Sequence, residues 1–404
     1  MATILRIVLY GMLAMLIGVN LYLFLNKDKD GTPKSTQPGV ENADSLNTPT
    51  SPAISLPPVP VPRPAAREII RAVDDSSSLA RSAKESFEKG DYKTAANLCK
   101  QLAEKDKQAF LCVGLAYFKM ADYKNAISFL EQSLESGGDE FTSRKYLAFA
   151  YYYLDNFEKS LSNAERSHGS IKDAELEAFY NRLIKEKRAQ RNFVDESTNH
   201  FRVQYDGYEH GGISRKVIGL LEDAYSSIGS DLNYYPSEPI TVILYTTHDF
   251  YDITQMPGWS GGLFDTKDGK IRIPIKGAEG KEDLLRTVLF HEYVHALIHS
   301  ITRSCPLWIH EGLAEYFSKG PSQRVGQVIP LNYLENSFSG ITGRGILLAY
   351  AESHSAVSYL MDRYRSNRMK DMLFALSKGN DLNRAFTDSF QMSYTEFIEK
   401  WGKK

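Results

Sequence analysis

The sequence predicts an α+β chain preceded by two other parts, an N-terminal transmembrane helix and an all-α domain. Three observations predict it. Ile7 to Leu25 runs nineteen residues without a charge. Residues 79–166 carry a helical periodicity that repeats. From about residue 200, short alternating stretches appear between helical ones, the pattern of a mixed helix-and-sheet domain. The expected divisions are 1–25 for the anchor or signal, 26–66 for a Pro-rich disordered linker, 67–192 for the helical domain and 193–404 for the α+β domain.

The Ile7–Leu25 run is long enough to span a bilayer as a helix. Arg6 precedes it and "NKDKD" follows, but no small-residue cleavage site does, so an uncleaved anchor is expected rather than a signal peptide. The expected localisation is therefore a single N-terminal span in the membrane, with the C-terminal domains periplasmic or otherwise extracytoplasmic. Nine of the sixteen prolines fall in residues 26–66, mixed with Ser, Thr, Asn and Gly, and such a segment reads as an extended spacer. A formal net charge of −2 argues against broad electrostatic binding to nucleic acid. Three cysteines are too few for a disulfide framework or a thiolate metal site. Cys99 and Cys112 could meet on neighbouring helices, but two buried thiols are the expectation.

In the helical part, "KGDYKTAANLCKQL", "MADYKNAISFLEQSL" and "LDNFEKSLSNAERS" align, with Tyr92, Tyr123 and Phe157 at intervals of 31 and 34 residues. Gly114, Tyr117, Ala126 and Leu130 alternate small and large, as two closely approaching helices require. This part resembles tetratricopeptide repeats over residues 79–166. The resemblance implies a protein partner on a concave face; a helical platform packed on the next domain is the plain alternative. "YLAFAYYYL" reads as core, and residues 171–191 read as a charged linking helix with a solvated face.

"HFRVQYDG" alternates like a strand, residues 213–232 read as an amphipathic helix, and "PITVILYT" and "GKIRIPI" read as further strands. A long helix then begins near Lys281 and carries "HEYVH". At about 100° per residue, His291 and His295 lie one turn apart on the same face, the separation two imidazoles need to hold one zinc ion. Glu292, beside the first of them, is placed to take a proton from the attacking water and pass it to a leaving amine. An isolated motif of this kind is also compatible with a helix bearing surface histidines.

The next helical stretch, "WIHEGLAEYF", places Glu311 and Glu315 on one face. His291-Glu292-x-x-His295 followed by Pro306-x-Trp308-x-x-Glu311-Gly312-x-Ala314-Glu315 resembles the gluzincin zinc metallopeptidases, whose fold is thermolysin-like. The whole stretch from about residue 200 to 400 resembles a bacterial peptidase MA-like domain. That resemblance implies Glu311 as the third zinc ligand and Glu315 as the carboxylate that orients a ligand histidine. His310 and His299 are the rivals for third ligand. His310 points about 100° away from Glu311, and His299 reads as an exposed or capping residue. The resemblance also implies a Tyr or His that stabilises the transition state; Tyr350 and His354, one turn apart, both qualify. In related peptidases an edge strand like the one after "GWSGGLFD" binds extended substrate by main-chain pairing.

Together these readings predict a membrane-tethered zinc metallopeptidase, hydrolysing peptide or protein substrates through a zinc-activated water. Its catalytic residues would be Glu292 with Tyr350 or His354, and its Zn2+ ligands His291, His295 and Glu311. Two other classes compete with it. One is a tetratricopeptide adaptor whose metallopeptidase-like domain is catalytically silent; the other is a metal-dependent hydrolase of cell-wall bonds.

Overall fold

The structure is a computed structural model describing residues 77–208, 211–258, 260–275, 282–319, 329–338, 341 and 344–402. The described chain is mostly helical, with one small mixed sheet of five strands, each three to six residues long. This corrects the expected class of an α+β chain headed by a transmembrane helix. Most of the C-terminal residues go into helices that pack on one another rather than on strands. The expected span at residues 7–25 lies outside the described residues. Among the described residues no helix is long and apolar enough to cross a membrane, so the expectation of a membrane-anchored protein with extracytoplasmic domains is not supported.

Six helices form three antiparallel pairs: α1 (Ser78–Glu88) with α2 (Tyr92–Ala103), α3 (Phe110–Lys119) with α4 (Tyr123–Glu135), and α5 (Glu140–Tyr153) with α6 (Phe157–Ser167). The repeat read in the sequence is the start of each second helix. Tyr92, Tyr123 and Phe157 are first helical residues, capped by Asp91, Asp122 and Asn156, whose side chains accept the amide two residues into the helix. Each cap follows a left-handed residue, Gly90, Ala121 or Asp155, that turns the chain sharply. Gly114 lies so close to Leu130 that an added Cβ would come within 2.8 Å of its side chain, which is why α3 and α4 can approach. Cys99 and Cys112, on α2 and α3, form a disulfide rather than the expected pair of thiols.

Helix α7 (Ala174–Ala189) departs from its reading as a solvated linker. Leu176, Phe179 and Leu183 are buried in the core of the helical array, and Glu186 is buried with them. Of its charged residues, Arg182 and Glu186 reach the sheet that follows.

The strands are β1 (Phe193–Ser197), β2 (Phe201–Asp206), β3 (Ile240–Tyr245), β4 (Leu263–Asp265) and β5 (Lys270–Pro274), in the order β1-β2-β3-β5-β4. The β1–β2 and β4–β5 pairings are antiparallel, and the two central ones are parallel. Two helices make the crossovers on opposite sides: α8 (Gly211–Leu232) between β2 and β3, and α9 (Thr247–Thr254) after β3. Alternation sorts the side chains. Phe201, Val203, Val242, Leu244, Ile271 and Ile273 join the main core with α8 and the helices that follow. Arg202, Gln204, Ile243 and Arg272 belong to the other face, toward the helical array.

The remaining helices are α10 (Glu282–Ile301), α11 (Leu307–Lys319), α12 (Arg344–Ser377, broken at Arg365), α13 (Leu382–Phe390) and α14 (Tyr394–Gly402). Trp308 of α11 is fully buried and stacks with Phe397 of α14, ring centres 5.8 Å apart. Gly312 presses α11 on α12: a Cβ there would sit 2.4 Å from the Ser353 carbonyl oxygen.

Candidate metal centre

Helices α10 and α11 lie against each other and bring the predicted residues together. His291 Nε2 is 3.4 Å from Glu311 Oε2, and His295 Nε2 is 3.6 Å from the same oxygen. Tetrahedral zinc with bonds of about 2.0–2.1 Å holds its donors roughly 3.3–3.4 Å apart, so both spacings suit one ion. One ligand atom from each of the three residues can be chosen so that all lie within 4.8 Å of one another. Glu311 Oε2 is buried, and among the described residues no donor reaches it with full hydrogen-bond geometry, although both imidazoles flank it. A buried carboxylate oxygen without a donor is costly unless a cation meets it. The donor set therefore fits a metal ion.

Each of the two imidazoles also has a partner on its far side. His291 Nδ1 is 3.5 Å from Glu315 Oε1, and Lys319 Nζ holds the other oxygen of Glu315 at 2.6 Å. His310 is not among the three donors that come together. Its Nδ1 lies 2.7 Å from Nδ1 of His295, so the two rings share one proton. For Nε2 of His295 to offer a lone pair, that proton must sit on its Nδ1 and be donated to His310. Burial pushes His310 down to about 3, which keeps it neutral and able to accept. His299 meets Phe264 edge-on instead and does not join the three donors.

The charges converge strongly. Burial works against a proton on His291, but Glu311, Glu292 and Glu315 outweigh it and raise it to about 9. Burial drives His295 well below the ordinary imidazole range. Burial would raise Glu311, yet the two histidines hold it below its ordinary value; His291 and Lys319 do the same for Glu315. Three carboxylates around one imidazole make a place for positive charge.

Glu292 is buried beside the donors. Burial raises its carboxyl to about 7, opposed by His291, reinforced by Glu311 and opposed again by the Phe264 amide, which donates to it. A Cβ on Gly262 would fall 2.9 Å from Glu292 Cγ and 3.0 Å from its Oε1, so the backbone before β4 forms one wall of the site. Tyr350 on α12 feels Glu311, Glu315 and Glu292, which add to burial in holding its hydroxyl far above the ordinary range. Its ring meets Phe338 edge-on. His354, one turn on and buried, acts on Glu315. The charge environment of Tyr350 includes both Glu292 and Glu311.

Sequence reasoning did not find the Phe264 amide, the Gly262 contact, the His295–His310 pair or Lys319. Only Lys319 had a local signal, its spacing of four from Glu315. The others depend on which segments meet in space.

Two imidazoles and a carboxylate around one point, with a second buried carboxylate alongside, are donor types that could hold a metal ion. Residues 222–403 match the family model described as the Peptidase MA superfamily, which supports an MA-like peptidase domain there and a peptidase or peptidase-like function. One curated relative, "Uncharacterized protein YhcO" of Bacillus subtilis (strain 168), is 23% identical over 208 residues, 46% of this chain. The match spans 63% of that relative's length.

Proposed function

We propose that the protein is a zinc-dependent peptidase in which His291, His295 and Glu311 hold the ion and Glu292 is the general base. The observation that carries this reading is the buried Glu311 oxygen set 3.4 and 3.6 Å from two imidazole nitrogens, with Glu292 next to them. When bound, zinc supplies a Lewis acid that polarises the scissile carbonyl and makes water easier to deprotonate. The chain's own residues do the rest. Glu292 takes a proton from the attacking water and returns it to the leaving amine. Glu315 and His310 fix the ring orientations of His291 and His295, and Lys319 keeps Glu315 ionised. The Tyr350 hydroxyl, kept protonated by its surroundings, donates to the oxygen that gains charge in the transition state. A peptide or protein segment is the substrate we assign to it, and the match to the Peptidase MA superfamily supports that choice.

The test is Glu292→Gln. Hydrolysis of a generic peptide should fall by roughly 100- to 10,000-fold, the ordinary contribution of a general base, while zinc content is unchanged. Turnover at the wild-type rate would refute the assigned role. Zinc binding without peptide cleavage by the wild type would support the catalytically silent adaptor instead.

A further inference from the structure

The sheet face turned toward the helical array meets it across a buried layer of charge. At its centre is the Tyr152 hydroxyl of α5. It donates to Glu186 of α7 at 2.8 and 3.0 Å, and accepts from Arg182 at 3.1 Å and from Arg272 of β5 at 3.0 Å. Arg272, with no exposed surface, also grips Asp268 in the β4–β5 turn with bonds of 3.1 and 2.6 Å. Arg182 reaches Asp265, the last residue of β4, at 3.6 Å. The array thus holds the β4–β5 hairpin at Asp265 and Arg272, and Arg272 in turn holds the turn at Asp268.

The same hairpin serves the candidate centre from its other side. Phe264, between Leu263 and Asp265, turns its amide to Glu292, and Gly262 abuts the same carboxylate. Strand β4 has three residues and a single strand partner, so its own ladder is too short to fix its position. Residues on alternate faces link the two sides: Ile271 and Ile273 anchor β5 in the core, and Arg272 between them faces the array.

We propose that Tyr152 is a positioning residue for Glu292, acting through Arg272 and the β4–β5 hairpin. The array is then part of the setting of the base rather than a detachable tether. This rests on the reading of Glu292 as the base. Removing the Tyr152 hydroxyl leaves Glu186, Arg182 and Arg272 each one bond short in a buried place, and the hairpin shifts to satisfy them. A misplacement of about 1 Å at a reacting group lowers rate by on the order of 100-fold, so a fraction of that shift is measurable.

The experiment compares the full chain with Tyr152→Phe, Glu186→Gln and Lys185→Ala by hydrogen exchange over residues 260–272, zinc content and peptide hydrolysis. Lys185 bonds Asp252 at 2.7 Å on the same interface but away from the hairpin, so its loss is the control. In Tyr152→Phe the hairpin amides should exchange faster and kcat should fall by about tenfold, with KM within about twofold and zinc unchanged. Lys185→Ala should match the wild type in all three. Glu186→Gln, of the same shape, carries the test if Tyr152→Phe does not fold. Wild-type kcat in the hydroxyl variant overturns the proposal, whether or not the hairpin loosens; so does an equal loss in Lys185→Ala, which would mark general loosening of the interface. A wild type that cleaves no peptide overturns the peptidase reading separately, and hairpin exchange alone then decides whether Tyr152 holds the hairpin.

Discussion

Glu292 is set by opposing forces. Burial and Glu311 favour its proton, while His291 and the Phe264 amide favour its charge, and the balance lies at about 7. A base works ionised, so hydrolysis should rise with pH through a limb at that position. A bound dication adds positive charge and moves the limb lower, at or below about 7. A kcat/KM profile between about pH 5 and 9 checks this; activity that falls as pH rises through that limb would contradict the base assignment. The centre's inner residues were legible because helical spacing fixes local direction. His291, Glu292 and His295 share one helix, as do Glu311 and Glu315, so their relative aim follows from sequence separation alone. Tyr350, the Phe264 amide and His310 were not resolved in that way. Their roles depend on how α10, α11, α12 and β4 meet, and no local period encodes that meeting.

At the scale of elements, the contact that builds the centre is α11 lying against α12 as well as α10. Gly312 makes it: the Ser353 carbonyl and Val357 Cγ2 lie 2.4 and 2.5 Å from where a Cβ would stand. Gly312→Ala must push the helices apart, and overpacking of this kind costs about 1–3 kcal/mol. Denaturant unfolding should show that loss together with weaker zinc binding, since Glu311 is the neighbouring residue; unchanged stability would mean the helices move apart freely. Helix α7 shows where element-level reading fails. "IKDAELEAFYNRLIKEKRAQR" is rich in charge and looks solvated, yet Arg182 and Glu186 are buried in a network with partners far along the chain. Charge content signals exposure only where no opposite charge arrives from another element. The two cysteines are a similar case. Their placement on adjoining helices was legible, but whether the thiols pair depends on how α2 sits on α3.

At the scale of the molecule, the sheet stands between the two helical layers. One face packs with α8 and α10–α14 into the core that carries the donors, and the other receives the helical array. The strands read in the sequence are present, but they are short, and the helices outweigh them. The long helical region after residue 344 therefore decides the fold class more than the strands do. The expected three-way pattern of span, array and mixed domain overvalued the alternating stretches, which are easy to see, relative to helices whose apolar faces meet one another. Whether His291, His295 and Glu311 hold an ion is read from metal content. Elemental mass spectrometry on the purified wild type and Glu311→Ala should find one zinc per chain in the first and a sharp loss in the second, with the helical circular-dichroism signal unchanged. No metal in the wild type after zinc loading, or equal zinc in both proteins, would contradict the ligand assignment.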